Sequence, residues 1–351
     1  MAKGKKNTSV DGYGKLKGDL KNENFRRIYV FFGEEKYLLE NYRQQLRKKL
    51  VSGPAEDFNY HRFQEENWNI DDVSEAIEAI PIMGSNSLVE IIDIDPFTRP
   101  ENERQKIIEL LSSLPDYCTI VWIYDILEWK PDKRMKKLWA VMEPALLVEF
   151  ARQPESQLIP WIRRHLATAN KTMSDAVCRY LILQTGGSMT VLAAEIQKLI
   201  CYTDQTEIVQ KDVDDVVVPV VEAAIFDITK DIGAKNFERA LQKLQNLLRQ
   251  DTEPIAINAI IGRQMRQLYG AKILMEHGKG PYELVKLYGI WDSAAREIYN
   301  QANGFPKQVL REAILLSAQT DYTIKTSSGE SDKLLEIMLL RLADRCGGIL
   351  G

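Results

Sequence analysis

The chain is poor in the residues that hold metals. It has three histidines and four cysteines among 351 residues. His61, His165 and His277 stand alone, and Cys118, Cys178, Cys201 and Cys346 lie far apart. Metal sites need such residues clustered at short spacing, so no metal site is expected. Dispersed cysteines in apolar or helical surroundings read as reduced, mostly buried thiols of a cytosolic protein. Long apolar runs are also missing: none reaches the roughly 18 residues that suggest a membrane span. Lys3, Lys5 and Lys6 have no apolar stretch behind them, so they do not make a secretory signal. Neither charge sign dominates. With 46 Lys and Arg against 50 Asp and Glu, the net charge is −4, which argues against a dominant nucleic-acid surface but leaves room for a local basic patch. No internal repeat is visible.

What the chain does have is core-forming material. Apolar residues make up 45% of it, enough for two or three domains at this length. The stretch that organises the rest is Ile28 to Glu40. Ile28 to Phe32 is a short continuous apolar run, the pattern of a strand buried on both faces. Gly33 ends it, and from Tyr37 to Leu50 the apolar residues take helical spacing. Strand, glycine turn and helix is the setting of a phosphate-binding loop. The chemistry is absent, however. A loop beginning at Gly33 needs Gly, Lys and Ser or Thr at positions 38 to 40, and this chain has Leu38, Leu39 and Glu40. Neither leucine can cradle a phosphate, and Glu34, Glu35 and Glu40 add negative charge where an anion would sit. The stretch reads as a nucleotide-binding topology without nucleotide chemistry, or as an ordinary βα unit.

Residues 1 to 14 are polar and glycine-rich and read as a frayed arm. A short helix at Leu16 to Asn22 leads into the first strand. Asp57 to Phe63 reads as a second strand and Asn69 to Ala79 as a helix, with Ile70, Val73, Ala76, Ile77 and Ile80 at three- and four-residue spacing. Pro81 stops that helix and Gly84 permits a turn. Ile80, Ile82 and Met83 thus fall on a helix end and loop before the next strand. Two readings are open: the pattern alone favours core beneath the sheet edge, and the other reading is an exposed plug for a partner.

Ser87 to Ile94 is the next strand. Asp93 at its end superficially resembles a magnesium-holding acid, but without a phosphate loop it reads as a strand-end cap. Glu101 to Leu114 is a helix, Thr119 to Tyr124 a strand, Asp132 to Met142 a helix, and Leu146 to Phe150 a strand. The alternation predicts a mainly parallel sheet. From Pro154 onward the chain is almost wholly helical. Gln157 to Ala169, Ser174 to Thr185 and Met189 to Tyr202 form a small three-helix domain, and Ile208 to Asp215 reads as a linker. Seven further helices are predicted between Val220 and Arg345, with Ser327-Ser328-Gly329 as a turn.

Several stretches then resemble one family, in order. Tyr29 to Leu38 is similar to a Tyr-x-x-x-Gly-Glu-Glu-x-x-Leu opening. Ile80 to Gly84 sits where that family has a hydrophobic segment before a strand. Glu195 to Tyr202 resembles its Glu-x-x-Lys-Leu-x-x-Tyr helix, and Ile208 to Val213 its Ile-x-x-x-Asp-Val linker. Ala224-Ile225-Phe226-Asp227, Arg263-Gln264-Met265-Arg266-Gln267-Leu268 and Ala318 to Lys325 follow in place. The family is the delta subunit of bacterial DNA polymerase III, and the likeness runs from about Leu16 to Ala343.

The resemblance implies an α/β plus all-α chain. An AAA+ ATPase-like parallel-sheet domain without a functional phosphate loop would occupy residues 1–150. A helical lid domain (151–213) and a helical collar for assembly (214–351) would follow. It implies a subunit of the polymerase holoenzyme with no catalytic residue, cofactor or metal of its own. Its partners would be the beta sliding clamp, ATP-hydrolysing clamp-loader subunits, delta-prime and, through the complex, primed DNA, all in the cytoplasm. In the family, apolar residues at this helix end insert into the clamp, which assigns Ile80, Ile82 and Met83 as clamp-binding. Met83 replaces an aromatic residue often found there. Two alternatives remain: an active ATPase of the same architecture, against which Leu38, Leu39 and Glu40 argue, and a helical scaffold with a buried tip. Glu195 and Lys198 fit an ordinary helix ion pair. Arg263, Arg266 and Lys272 fit a solvated face better than a strip toward DNA.

Overall fold

The computed structural model describes residues 12–346, apart from 52, 54, 55, 251 and 327–329. The expected turn at Ser327-Ser328-Gly329 lies outside the described residues, as does most of the expected N-terminal arm. The chain divides into two compact units, Met1–Arg152 and Gln153–Gly351.

The first unit carries helices α1 (Gly12–Asn22), α2 (Lys36–Leu50), α3 (Glu56–Asn59), α4 (Ile70–Glu78), α5 (Glu101–Ser112) and α6 (Lys136–Met142). Its strands are β1 (Ile28–Phe32), β2 (Tyr60–Phe63), β3 (Ser87–Ile92), β4 (Cys118–Ile123) and β5 (Leu146–Glu149). The five strands form one sheet in the order β2-β3-β4-β1-β5, and every neighbouring pair is parallel. A parallel sheet needs a helical crossover between strands and therefore covers both faces. That is why β3 and β4 are buried at every position.

Alternate residues along each strand serve opposite faces. Ile28, Val30, Val89, Ile91, Ile120 and Trp122 pack in one core with Val73 and Ile77 of α4, Ile107 of α5 and Leu138 of α6. On the other face Tyr29 and Phe31 stack edge-on, and Phe31 meets Phe150. Helices α1 and α2 close that side through Tyr13 and Tyr42, both of which contact Phe150. This packing draws Gly12, Tyr13 and Gly14 into α1, where the sequence suggested a frayed arm.

Glu90 is the one acid wholly buried on a strand of this sheet. Arg43 of α2 meets it at 2.8 Å and Tyr60 donates a 2.7 Å hydrogen bond to it. Burial disfavours the Arg43 charge, but Glu90, Tyr60 and Glu40 more than offset this and hold its pKa above the ordinary range.

The second unit is helical except for a two-stranded parallel pair, β6 (Thr172–Met173) and β7 (Glu207–Ile208). Its helices are α7 (Glu155–Ala167), α8 (Asp175–Gln184), α9 (Met189–Tyr202), α10 (Gln210–Val216), α11 (Val221–Gly233) and α12 (Phe237–Leu248). They continue with α13 (Pro254–Glu276), α14 (Tyr282–Tyr288), α15 (Asp292–Ala302), α16 (Lys307–Thr326) and α17 (Ser331–Arg345). Helix α13 is the axis. Ile257, Ile261, Met265, Leu268 and Ala271 are buried in one large cluster with residues of α11, α15, α16 and α17. Gly262 lets α16 approach, because a Cβ there would stand 2.6 Å from Ser317 Oγ. Asn258 seals the contact by donating to the Ser317 carbonyl at 3.0 Å.

The expected linker at Ile208 to Asp215 is instead the end of β7 and most of α10. Asp212 explains the helix start, since its carboxylate accepts the Val209 N–H at 2.9 Å.

Candidate functional site

The two ends of the sheet in the first unit carry the two stretches that sequence reading singled out. At the carboxyl end, β1 finishes at Phe32 and α2 begins at Lys36. Three residues separate strand from helix, too few for a loop that wraps a phosphate. Gly33 makes the turn at φ +128°, and a Cβ there would lie 2.4 Å from the Phe150 carbonyl oxygen. The Glu35 N–H, one of those an anion would need, donates to that same carbonyl at 2.8 Å. Leu38 and Leu39 are buried in the core. Glu40 is bound to Arg43 at 2.6 Å and accepts from Gln44 at 2.8 Å. Lys36, the nearest lysine, is paired with Asp125 at 3.3 Å. Residues 33 to 40 therefore do not fit a nucleotide phosphate.

Asp93 has a clear structural task here. Its Oδ1 accepts the N–H groups of Asp125, Ile126 and Leu127 at 2.9, 2.8 and 3.0 Å. It is a cap for the loop after β4, and its φ of +53° places the carboxylate there.

The amino end of the sheet is different. Helix α4 starts with Asn69, whose side chain accepts the Asp71 N–H at 2.9 Å. Asp71 and Asp72 in its first turn suit the helix dipole. Its buried stripe of Ile70, Val73, Ala76 and Ile77 runs to one residue short of the helix end at Glu78. Ala79 is already extended, and Pro81 bars the helix from continuing through Ile80. Tyr117 donates to the Glu78 carbonyl at 2.9 Å, satisfying one of the orphan groups at the helix end.

The chain then forms a loop that is exposed yet held. Ile80 is 78% exposed, Ile82 50% and Met83 88%. The core reading favoured by apolar spacing is thus overturned: Ile80 has left the helix and cannot extend its stripe. Asn59, itself buried, fastens the loop at both polar groups of Ile82. Its Oδ1 accepts the Ile82 N–H at 2.8 Å, and its Nδ2 donates to the Ile82 carbonyl at 2.9 Å. Met83 sits at φ +52°, a left-handed conformation that costs an L residue ~1–2 kcal/mol. Sequence reading missed Asn59 and Tyr117, because nothing in the local pattern marks a side chain that bonds 23 or 39 residues away.

The remaining candidates fall to structural roles. Glu195 and Lys198 form the expected i,i+3 ion pair at 2.6 Å. Arg263 meets Glu222 at 3.4 Å, and Lys272 donates to the Ala302 carbonyl at 2.9 Å, so these residues make no uniform basic strip. Cys118 and Cys178 are buried, which pushes each thiol up to about 11, whereas Cys346 is half-buried and Cys201 exposed. Among the described residues no cluster of His, Cys, Asp or Glu could hold a metal ion. No described helix is long and apolar enough to cross a membrane.

A five-stranded parallel-sheet unit whose first strand-to-helix turn is only three residues long, followed in the chain by an almost wholly helical unit, defines the class: an α/β nucleotide-binding topology without a functional phosphate loop. Two family models narrow the class. That of the DNA polymerase III delta subunit matches residues 29–150, and that of the delta subunit's C-terminal domain matches residues 222–342. The chain belongs to the DNA polymerase III delta subunit family, and so is a subunit of a multi-subunit clamp loader.

DNA polymerase III subunit delta of Bacillus subtilis is 28% identical over 332 residues, covering 93% of this chain and 95% of that protein. The probable delta subunit of Aquifex aeolicus is 23% identical, covering 91% of this chain and 92% of that protein. The solved structure of the Bacillus subtilis DNA clamp loader delta protein superposes with a TM-score of 0.57 at 26% identity, covering 95% of this chain and 99% of that one.

Proposed function

We propose that this subunit grips the beta sliding clamp through Ile80, Ile82 and Met83 and helps to open it for loading onto primed DNA. The observation that carries the reading is the exposure of three large apolar side chains on a loop fastened by Asn59. Burying each such side chain in a partner contributes ~1.5–3 kcal/mol. A fastened loop loses little further entropy on binding. Opening also needs differential affinity: the tip must bind the open clamp more tightly than the closed one, since equal binding shifts nothing.

ATP hydrolysis falls to neighbouring subunits, delta-prime completing the assembly, because residues 33 to 40 leave no room for a phosphate. The helices from residue 214 onward serve as the assembly collar, those of 151–213 as the lid, and the complex works in the cytoplasm. The scaffold alternative requires a buried tip, which the exposures of Ile80 and Met83 disfavour.

The test is nucleotide-free binding of the purified chain to its sliding clamp, wild type beside Ile82→Ala/Met83→Ala. Loss of roughly 100-fold or more in affinity is expected, at ~1.4 kcal/mol per tenfold, with an unchanged melting temperature. Equal affinity of the two proteins would overturn the reading.

A further inference from the structure

Phe58 is a large aromatic side chain left 62% exposed on the short helix α3. It precedes Asn59, the residue whose carboxamide holds both polar groups of Ile82 at 2.8 and 2.9 Å. Gly84 adjoins the same side chain, since a Cβ there would lie 3.2 Å from Asn59 Nδ2. Residues 58–59 and 80–84 thus form one corner of the unit, joined by a buried residue.

Distances bound how far apart the pieces are. One Cα step is ~3.8 Å, and the hydrogen-bonded Asn59 side chain spans the rest. Phe58 therefore has its backbone within about 12 Å of that of Ile82. A stable protein interface covers ~800 Å² on each partner, a patch of roughly 16 Å radius. A patch of that size centred on Ile82 reaches the position of Phe58. Aromatic residues are also enriched in interfaces over other surface.

We infer that Phe58 is a fourth apolar contact of the clamp-binding site, carried on a separate turn and held in register with Ile80, Ile82 and Met83 by Asn59. The inference rests on the clamp-binding reading of the tip. The occupant is therefore the same surface of the sliding clamp, which would need a second apolar depression for the ring, beside the one that takes the loop.

The experiment compares wild type, Phe58→Ala, Phe58→Glu and Ile82→Ala/Met83→Ala for nucleotide-free binding to the sliding clamp, with melting curves for each. Because Phe58 is exposed, both substitutions there are expected to leave the melting temperature unchanged. Phe58→Ala is expected to weaken clamp binding about tenfold, and Phe58→Glu more, since a charge in a desolvated contact adds a penalty to the lost area. If Ile82→Ala/Met83→Ala loses binding while both Phe58 variants bind like wild type, the inference is wrong and the tip reading stands. If the loop variant also binds like wild type, the tip reading fails and this inference fails with it. Should Phe58→Ala lower the melting temperature in step with affinity, with Phe58→Glu no weaker a binder than Phe58→Ala, Phe58 is structural and the inference is again overturned.

Discussion

The two ends of one parallel sheet are built in opposite ways. At the carboxyl end, the residues at the phosphate-loop positions are engaged elsewhere. Gly33 abuts the Phe150 carbonyl, Lys36 and Glu40 are in ion pairs, and Leu38 and Leu39 face the core. At the amino end, two hydrogen bonds hold the backbone of Ile82 and leave the apolar side chains of the loop in water. Closure at the first end comes from backbone groups meeting the Phe150 carbonyl and from side chains pairing with one another. Presentation at the second comes from one buried amide holding a backbone. A sheet can therefore be closed at one end and still hold an apolar loop out in solvent at the other.

The strongest way to break the comparison is to restore the missing chemistry. Leu38→Gly/Leu39→Lys/Glu40→Ser rebuilds the residue types of a phosphate loop. Replacing two buried leucines should cost upward of ~4 kcal/mol, seen as a large fall in melting temperature. Nucleotide binding is not expected to appear, because α2 already begins at Lys36. Nucleotide binding by a folded variant would show that only the side chains, not the turn, prevent it.

A smaller effect is expected at the joint of the open end. Asn59→Ala removes two hydrogen bonds and should cost ~1–3 kcal/mol in stability. Clamp affinity should fall as well, since the loop is freed. Asn59→Asp keeps the acceptor for the Ile82 N–H but sets a buried carboxylate oxygen against the Ile82 carbonyl, and should cost at least as much as Asn59→Ala. Full clamp affinity in a destabilised Asn59→Ala would mean that fastening the loop contributes to folding alone.

The smallest effect concerns acid. Burial lowers the pKa of His61, in β2 beside Asn59, and its Nε2 is buried without a hydrogen-bond partner. A histidine with a lowered folded pKa destabilises the fold as pH drops below its unfolded value of ~6.5, because the unfolded chain then takes up a proton that the fold resists. Between pH 7.5 and 5.5 the melting temperature of wild type should drop slightly more than that of His61→Gln. Parallel curves would remove His61 from the acid sensitivity.

Sequence legibility followed the same division. The closed end could be read directly, since the apolar run of Ile28 to Phe32, the glycine and the residue types at 38 to 40 are local facts. The open end could not. Apolar spacing carried Ile80 onto the buried stripe of α4, and only Pro81 and the family likeness argued otherwise. Asp57 to Phe63 read as a strand, yet its first residues are helical, and Asn59 is spent on a contact made 23 residues away. Likewise β7 and α10 were hidden in residues 203–216, whose buried side chains are Ile208 and Val213 alone. Two residues are too few to set a period.

Hydrogen exchange of the chain alone and bound to its sliding clamp tests the division most directly. Protection is expected at residues 78 to 84 and in the neighbouring 56 to 63 segment, with Gly33 to Lys36 and Asp125 to Leu127 unchanged. Protection centred on the carboxyl end of the sheet, or none at 78 to 84 in a saturated complex, would contradict the assignment of the open end as the clamp grip.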